Sequence, residues 1–160
     1  MNKIISTFIA NQQVASVCVV DTDGKPYCFN CFYSYDDNES FLIFKSSLDT
    51  YHGPLLQESA AVAGTILPSK FNFLAIRGLQ FEGTILFETN KATTHAKTLY
   101  YKQHPMSIAM KGQIWIIQLE HLKLTDNTKG FGKKFVWQRN SLFVNKDEGL
   151  LSTNQAITNQ

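Results

Sequence analysis

Three strand-like segments follow one another within the first 46 residues and are separated only by short polar turns. The runs VASVCVVD (14–21), YCFNCFYSY (27–35) and FLIFKS (41–46) are rich in the β-branched and aromatic residues that favour strands. Asp23-Gly24, between the first two runs, is typical of a hairpin turn. The chain is therefore predicted to begin as an antiparallel meander, which limits the fold to classes built around such a sheet.

The remainder of the chain adds further strands and only a few helices. Gly78 and Gly83 interrupt the longest strand pattern, as bulges or sharp bends do. The predicted fold class is a mainly β, antiparallel barrel, closed or partly open, with a few peripheral helices. The strand patterns cover 60–67, 71–88, 113–124 and 134–139, and the helical patterns cover 4–9, 47–59 and 91–105.

Length and charge exclude several classes of protein. A chain of 160 residues with a net charge of +2 is long enough for one core and too weakly basic for a nucleic-acid surface. No apolar run is long enough to span a bilayer, so we expect no membrane partner and a cytoplasmic location. We expect a single domain over residues 1–140 and a partly disordered C-terminal tail over 141–160, where the periodicity ends.

Cys28 and Cys31 form a C-x-x-C pair within the second strand-like run. Successive residues of a strand point to opposite faces, so two residues three apart point away from each other. We therefore predict that these two cysteines neither bond to each other nor bind metal. Cys18 offers no second pair, and three cysteines without framework spacing suit a reducing compartment. Three free thiols are expected.

A polar cluster lies between the third strand and the next helix, within FKSSLDTYHG (44–53). Hydroxyl groups, a lysine and a helix N-terminus together favour an anion such as phosphate, whereas the same residue types also cap helices. Both interpretations stay open, and Asp49 weakens the first. The candidate residues are Lys45, Ser46, Ser47, Thr50 and His52.

Other features indicate structure rather than chemistry. Arg77 lies in an apolar row of the long strand, where a structural ion pair is favoured over a ligand. The twelve Phe, six Tyr and two Trp form a core by default and can also wall a planar ring ligand. The sequence contains no phosphate loop, dinucleotide fingerprint or nucleophile elbow, and no residue stands out as an acid, base or nucleophile.

Three strings, in this order, resemble a known family: AAVAGTI (60–66), IRGLQFEG (76–83) and LTDNTKGFGKKFVW (124–137). They are similar to the YhbP-like family of small bacterial proteins, within the pyridoxamine 5'-phosphate oxidase-like, FMN-binding split-barrel superfamily. The similarity covers residues 3 to 140. It implies a six-stranded antiparallel split β-barrel that forms a homodimer, with two FMN sites at the subunit interface.

The resemblance also implies which residues contact FMN. The second and third strands of flavin-binding relatives line the isoalloxazine, and they correspond here to Phe29, Asn30, Cys31, Phe44, Lys45 and Ser46. Gln80 matches a glutamine on the relatives' next long strand.

The phosphate turn of the relatives, a Ser followed by Arg and Lys, falls on Thr50, Tyr51 and His52. A phenol and an imidazole thus replace two fixed cations, and Lys45 or Lys133 is expected to compensate. If FMN binds, protonation of His52 is expected to strengthen binding, so that affinity falls as the pH rises from about 6 to 8.

The function implied by the resemblance is that of an FMN-binding flavoprotein. If it is catalytic, it is an oxidoreductase that acts on a small-molecule substrate through the flavin. Two alternatives stay open. One is a non-enzymatic flavin or haem carrier, and the other is a split barrel with a degenerate site that serves as an interaction module.

A homodimer is expected for a second reason. The run QIWIIQLEHLKL (113–124) has large apolar residues on both faces, and a strand of that kind needs cover on both sides. A helix of the same chain is one possible cover, and a second copy of the chain is the one that the resemblance favours.

Overall fold

The computed structural model describes residues 1–70, 72, 75–87 and 90–139, with the backbone alone at 90–92. The predicted tail, 141–160, lies outside the described residues. The described strands are β1 (Val14–Val20), β2 (Pro26–Asp36), β3 (Phe41–Ser46), β4 (Ala61–Ile66), β5 (Arg77–Leu86), β6 (Gln113–Asp126) and β7 (Lys134–Gln138). The α-helices are α1 (Lys3–Ala10), α2 (His52–Glu58) and α3 (Asn90–Gln103), and two 3-10 helices cover Pro105–Ala109 and Asn127–Lys129.

The strands form one antiparallel sheet that closes on itself. Their order is β3-β2-β1-β4-β5-β6-β7, and an additional pairing of β3 with β6 joins the two ends of a six-stranded barrel. Strand β7 pairs with β6 and lies outside the closed ring. The predicted fold class, a six-stranded antiparallel split barrel with a few helices, is confirmed.

The long strand predicted over 71–88 is shorter in the structure. Strand β5 begins only at Arg77. The predicted irregularity at Gly83 is confirmed, since the register between β5 and β6 shifts between Glu82 and Gly83. A Cβ atom at Gly83 would lie 2.5 Å from the backbone oxygen of Gln118, so only glycine fits this close approach.

The barrel interior holds the main core. The α1 helix packs into it through Ile5, Phe8 and Ile9, all of which are fully buried. This confirms the helix predicted from the spacing of apolar residues in the first segment. Arg77 forms the predicted structural ion pair, with its Nε 3.2 Å from Oδ2 of the fully buried Asp126.

A second, smaller core lies on the outer face of β6. Helix α3 covers this face, so a part of the same chain provides the cover that the two-sided apolar pattern required. This strand therefore gives no support for a homodimer, which stays a prediction. The residues of this second core are Phe41, Ile43, Ala96, Tyr100, Ile114 and Ile116.

The cysteine prediction is wrong in one respect. Cys18 and Cys28 lie directly opposite each other on β1 and β2 and form a disulfide, with 4.2 Å between their Cα atoms. Cys31 is the free cysteine and points to the other face of β2, towards the core. Strand alternation thus separated Cys28 from Cys31 as expected, but it gave no information about a partner on the neighbouring strand.

None of the helices in the described ranges combines the length and the apolar character needed to cross a bilayer.

Gly83→Ala should lower stability, because its Cβ meets a backbone oxygen that cannot move without disturbing β6. We expect a loss of about 1–3 kcal/mol, as for other overpacked sites. Gly78→Ala is the matched control on the same strand, since its Cβ meets only the end of the Leu67 side chain, at 3.2 Å. Urea unfolding of both variants measures the difference, and equal losses would contradict the steric explanation.

Candidate functional site

The barrel is incomplete at the seam between β2 and β3. Strand β2 pairs with β1 along residues 26–32, but its pairing with β3 covers only Tyr33–Asp36. The last residues of β3, Lys45 and Ser46, pair with β6 alone. The two strands therefore separate where Phe29 to Phe32 face the end of β3, and the barrel opens there.

A cavity of about 510 Å³ lies at this opening. Its walls come from the separated parts of the two strands, the start of α2, the end of α3 and the 3-10 helix that follows α3. The lining residues are Phe29, Asn30, Cys31, Phe32, Lys45, Ser46, His52, Tyr100, Gln103, His104, Pro105, Met106, Ser107, Met110 and Lys111.

One edge of β2 has no ladder partner along the cavity. The Tyr33 N–H donates to the carbonyl of Gln13, the residue just before β1, at 3.0 Å. Since backbone groups alternate between the two edges of an antiparallel strand, the N–H and C=O groups of Asn30 and Phe32 point away from β1. The pairing of Tyr33 with Phe44 places the Phe32 carbonyl against the Lys45 N–H. The N–H and C=O of Asn30 and the N–H of Phe32 face no described strand, so they are free to bind a ligand with donors and acceptors along one edge.

Aromatic rings stack at one side of the cavity. The His52 imidazole lies parallel to the Phe29 ring, with 3.7 Å between ring centres and 6° between planes. Phe44 packs behind Phe29 at 5.9 Å, and the Ser46 hydroxyl bonds to Nε2 of His52 at 2.6 Å. Burial lowers the pKa of His52, so the neutral ring is favoured in the free protein.

Lysine side chains give the cavity a positive charge. Lys45 donates from Nζ to the carbonyls of Ser107 and Met110, at 2.8 and 2.6 Å, and lies 5.1 Å from the ring centre of Tyr101. These contacts fix the 3-10 helix against β3. Lys111, at the cavity rim, is exposed. None of the described lining residues is Asp or Glu, so the charge of the two lysines is not balanced within the cavity wall.

The surroundings of two further lining groups, His104 and Cys31, determine where their hydrogen atoms lie. His104 bonds through Nε2 to the carbonyl of Tyr33 at 3.1 Å, which requires a hydrogen on that nitrogen. Burial raises the pKa of the Cys31 thiol to about 12. The thiol is therefore neutral near pH 7 and is a poor nucleophile.

The structure brings together half of the sequence-predicted site residues. Phe29, Asn30, Cys31, Lys45, Ser46 and His52 all line the cavity. Phe44 is fully buried behind them. Gln80 lies on β5, exposed and paired with Thr65 and Lys123. Lys133 is an exposed loop residue just before β7.

Thr50 and Tyr51 of the predicted phosphate turn do not line the cavity, whereas His52, its third residue, does. The Thr50 hydroxyl donates to the Ser47 carbonyl at 2.7 Å, and the Ser47 hydroxyl bonds to the Asp49 carboxylate at 3.2 Å. Tyr51 is 65% exposed and packs on Tyr27, with 4.7 Å between ring centres. These contacts stabilise the turn before α2, which is the structural alternative left open from the sequence.

Sequence reasoning missed the second half of the wall, which residues 100–111 form. Nothing in TLYYKQHPMSIAMK (98–111) resembles a binding motif. The available signal is the cluster of Met106, Ile108 and Met110 after Pro105, where apolar side chains are exposed next to a helix end. Such exposure on a described surface is a reason to look for a ligand or partner site.

Comparison with known proteins identifies the family. The UPF0306 protein of Photorhabdus laumondii is 38% identical over 137 residues, which is 86% of this chain and 95% of that protein. The UPF0306 protein YhbP of Escherichia coli is 35% identical over 137 residues, which is 86% of this chain and 92% of that protein. The chain belongs to the UPF0306 family. No family model matches it.

Solved structures confirm the split-barrel fold. A heme binding protein from Mycobacterium smegmatis superposes with a TM-score of 0.70 at 14% identity, over 83% of this chain and 55% of that protein. The chain thus spans about half the length of that protein. A FAD-binding protein from Mesorhizobium loti superposes with a TM-score of 0.59 at 11% identity, over 78% of this chain and 94% of that protein.

The lowered pKa of His52 predicts a pH-dependent stability. Its pKa is below the unfolded value of about 6.5, so the unfolded state binds more protons as the pH falls through that value. The parent protein should therefore lose stability between pH 7.5 and 5.5, and His52→Gln should lose less over the same range. Urea unfolding at three pH values measures this, and parallel curves for the two proteins would contradict it.

Proposed function

We propose that the cavity at the β2–β3 seam binds FMN and that the protein is a flavoprotein. The observation that carries this proposal is the combination of an unpaired strand edge, an aromatic wall and two lysines, with neither Asp nor Glu among the lining residues that the structure describes. The relationship to split barrels named as heme-binding and FAD-binding supports a planar ring cofactor in this fold.

The chemistry of the flavin matches the groups in the cavity. One edge of the isoalloxazine carries an N–H donor between carbonyl acceptors, which suits the free C=O of Asn30 between the free N–H groups of Asn30 and Phe32. Its ring face suits the stacked Phe29 and His52. Its phosphate suits the cation of Lys111 at the rim, since a charge-assisted contact contributes about 1.5–3 kcal/mol.

Bound FMN supplies one- or two-electron chemistry, and the protein supplies orientation and electrostatics. The Lys45 ammonium keeps a positive charge in the wall, which favours a ligand that carries negative charge. The neutral Cys31 thiol and the apolar side chains of Phe32 and Met106 exclude water from the ring. If the protein is an oxidoreductase, a small-molecule substrate enters through the same opening.

Haem is the second candidate, supported by the likeness to a heme binding protein. A porphyrin iron takes an imidazole through an accessible ring nitrogen. His52 and His104 are the two imidazoles in the cavity wall, and each uses Nε2 in a hydrogen bond to the protein. Their remaining nitrogen, Nδ1, lies next to the side-chain branch and is hindered. We therefore favour flavin.

We propose that the protein acts as a homodimer and is located in the cytoplasm. Support for a dimer comes from the apolar side chains around the cavity rim. Phe32 is 60% exposed, Met106 85% and Met110 65%. A second copy over this rim would cover them and would exclude water from a bound ring.

Lys111→Glu should weaken FMN binding by about tenfold or more, since losing one charge-assisted phosphate contact removes at least about 1.4 kcal/mol. Riboflavin, which has the same ring but no phosphate, should bind parent and variant within about twofold of each other. Lys3→Glu is the matched control, because Lys3 is also exposed and does not line the cavity. Fluorescence titration of both flavins on the three proteins measures the effect.

Three results of this titration would contradict the proposal. Failure of the parent to bind either flavin would remove FMN as the ligand. Equal weakening by Lys3→Glu would show a general charge effect. A haem complex with a sharp Soret band, formed by a protein that does not bind flavin, would favour the second candidate.

Multi-angle light scattering tests the assembly. At micromolar concentration we expect a mass of about twice the 18.1 kDa of the chain. Met106→Glu should shift the population towards the monomer, because it places a charge in the rim that the second copy covers. A parent protein that stays monomeric throughout the micromolar range would rule out the proposed dimer.

A further inference from the structure

The Cys18–Cys28 disulfide lies on the outer face of the sheet. It joins β1 to β2 at two directly opposed residues. The Tyr33 N–H bonds to the Gln13 carbonyl, and hydrogen-bonded pairs alternate along an antiparallel ladder. Cys18 and Cys28 are therefore a non-hydrogen-bonded pair, whose backbone groups point away from each other. Such pairs bring side chains closest together, which is why a crosslink forms here. Cys28 is exposed and Cys18 is partly exposed, so a reductant in solution can reach the sulfur atoms.

The crosslink is adjacent in sequence to a residue of the cavity wall. Cys28 directly precedes Phe29, whose ring stacks with His52. This part of β2 is paired on one edge only, with β1. The disulfide is therefore the covalent connection that holds the half-paired segment of β2, residues 26–32, to the rest of the sheet.

The third cysteine does not take part in exchange with this pair. Cys31 points to the opposite face of β2, into the cavity and core. Its thiol is neutral near pH 7 because burial raises its pKa to about 12. A reductant for the disulfide must therefore come from outside the chain.

We infer that Cys18 and Cys28 form a thiol–disulfide exchange site for a soluble dithiol, and that their redox state controls the order of residues 26–32 at the cavity. An effect of this redox state on ligand binding rests on the proposed function, whereas the exchange and the change in order do not.

The exchange is a two-electron reduction of the protein disulfide by the dithiol. One thiolate of the dithiol attacks the exposed Cys28 sulfur, the Cys18–Cys28 bond breaks, and Cys18 leaves as a thiolate that takes a proton. The second thiol of the reductant then loses its proton and attacks the mixed disulfide. Cys28 is released as a thiol, and the dithiol becomes a cyclic disulfide.

Reduction should loosen the segment that carries Phe29. Without the crosslink, the ladder with β1 and the side-chain packing of Phe29 and Cys31 are left to restrain residues 26–32, and local opening of this edge segment becomes more frequent. Amide exchange in this segment should become about tenfold faster or more, while exchange in β6 should stay within about twofold. If FMN binds, its affinity should fall on reduction by a similar factor.

The experiment uses the full chain in three forms: the parent, Cys18→Ser/Cys28→Ser and Cys31→Ser. Thiols are counted on the native proteins by mass-resolved alkylation, before and after dithiothreitol, and amide exchange is followed by mass spectrometry. We expect dithiothreitol to release two alkylatable thiols in the parent and in Cys31→Ser, with faster exchange at 26–32. The double variant should show the fast exchange without reductant and no further change with it.

Several outcomes would overturn the inference. These are two alkylatable thiols at Cys18 and Cys28 in the air-oxidised parent, resistance of the native disulfide to dithiothreitol, or unchanged exchange at 26–32 after reduction. A thermal melt of the double variant confirms that it folds. If no flavin binds in either redox state while thiol release and exchange behave as expected, the proposed function fails and the exchange site stands.

Discussion

The seam between β2 and β3 is the feature on which the rest of the site depends. Pairing of β3 with β6 closes the barrel, so β3 does not need β2 along its full length. Strand β2 is free to separate from it along the residues before Tyr33. The cost is an edge with unpaired backbone groups, which is tolerated only where water or a ligand satisfies them. The opening that creates this edge also creates the cavity.

Lys45 connects the two sides of this opening. Its ammonium binds two backbone carbonyls of the segment that follows α3, so one residue of β3 positions a wall that is more than sixty residues away in the chain. The same charge lies in an aromatic, largely apolar wall whose described residues include no carboxylate. Lys45 therefore both positions the cavity wall and contributes its positive charge. Together with the aromatic side chains, this charge favours a flat ligand that carries negative charge.

The sequence predicts the barrel because its signals are local. Alternation, a hairpin turn and a bulging glycine each depend on neighbouring residues, and β1, β3 and the irregularity at Gly83 agree with prediction. Half of the cavity wall was also predictable, since resemblance assigns β2 and β3. The other half, which includes His104 and Lys111, comes together only through packing of α3. The Cys18–Cys28 bond was missed for a related reason, because it depends on the register between two strands.

Nuclear magnetic resonance tests directly whether the seam is the site, by mapping the backbone amides that respond to FMN. If the seam is the site, the largest shifts will fall on Asn30 to Phe32, Lys45 to Ser46 and the segment around Ser107, which line one cavity. The resonances of the amides of Ser47 to Tyr51 and of β4 will shift little. Shifts centred on the turn before α2, or no localised shifts at saturating FMN, would show that FMN does not bind at the seam.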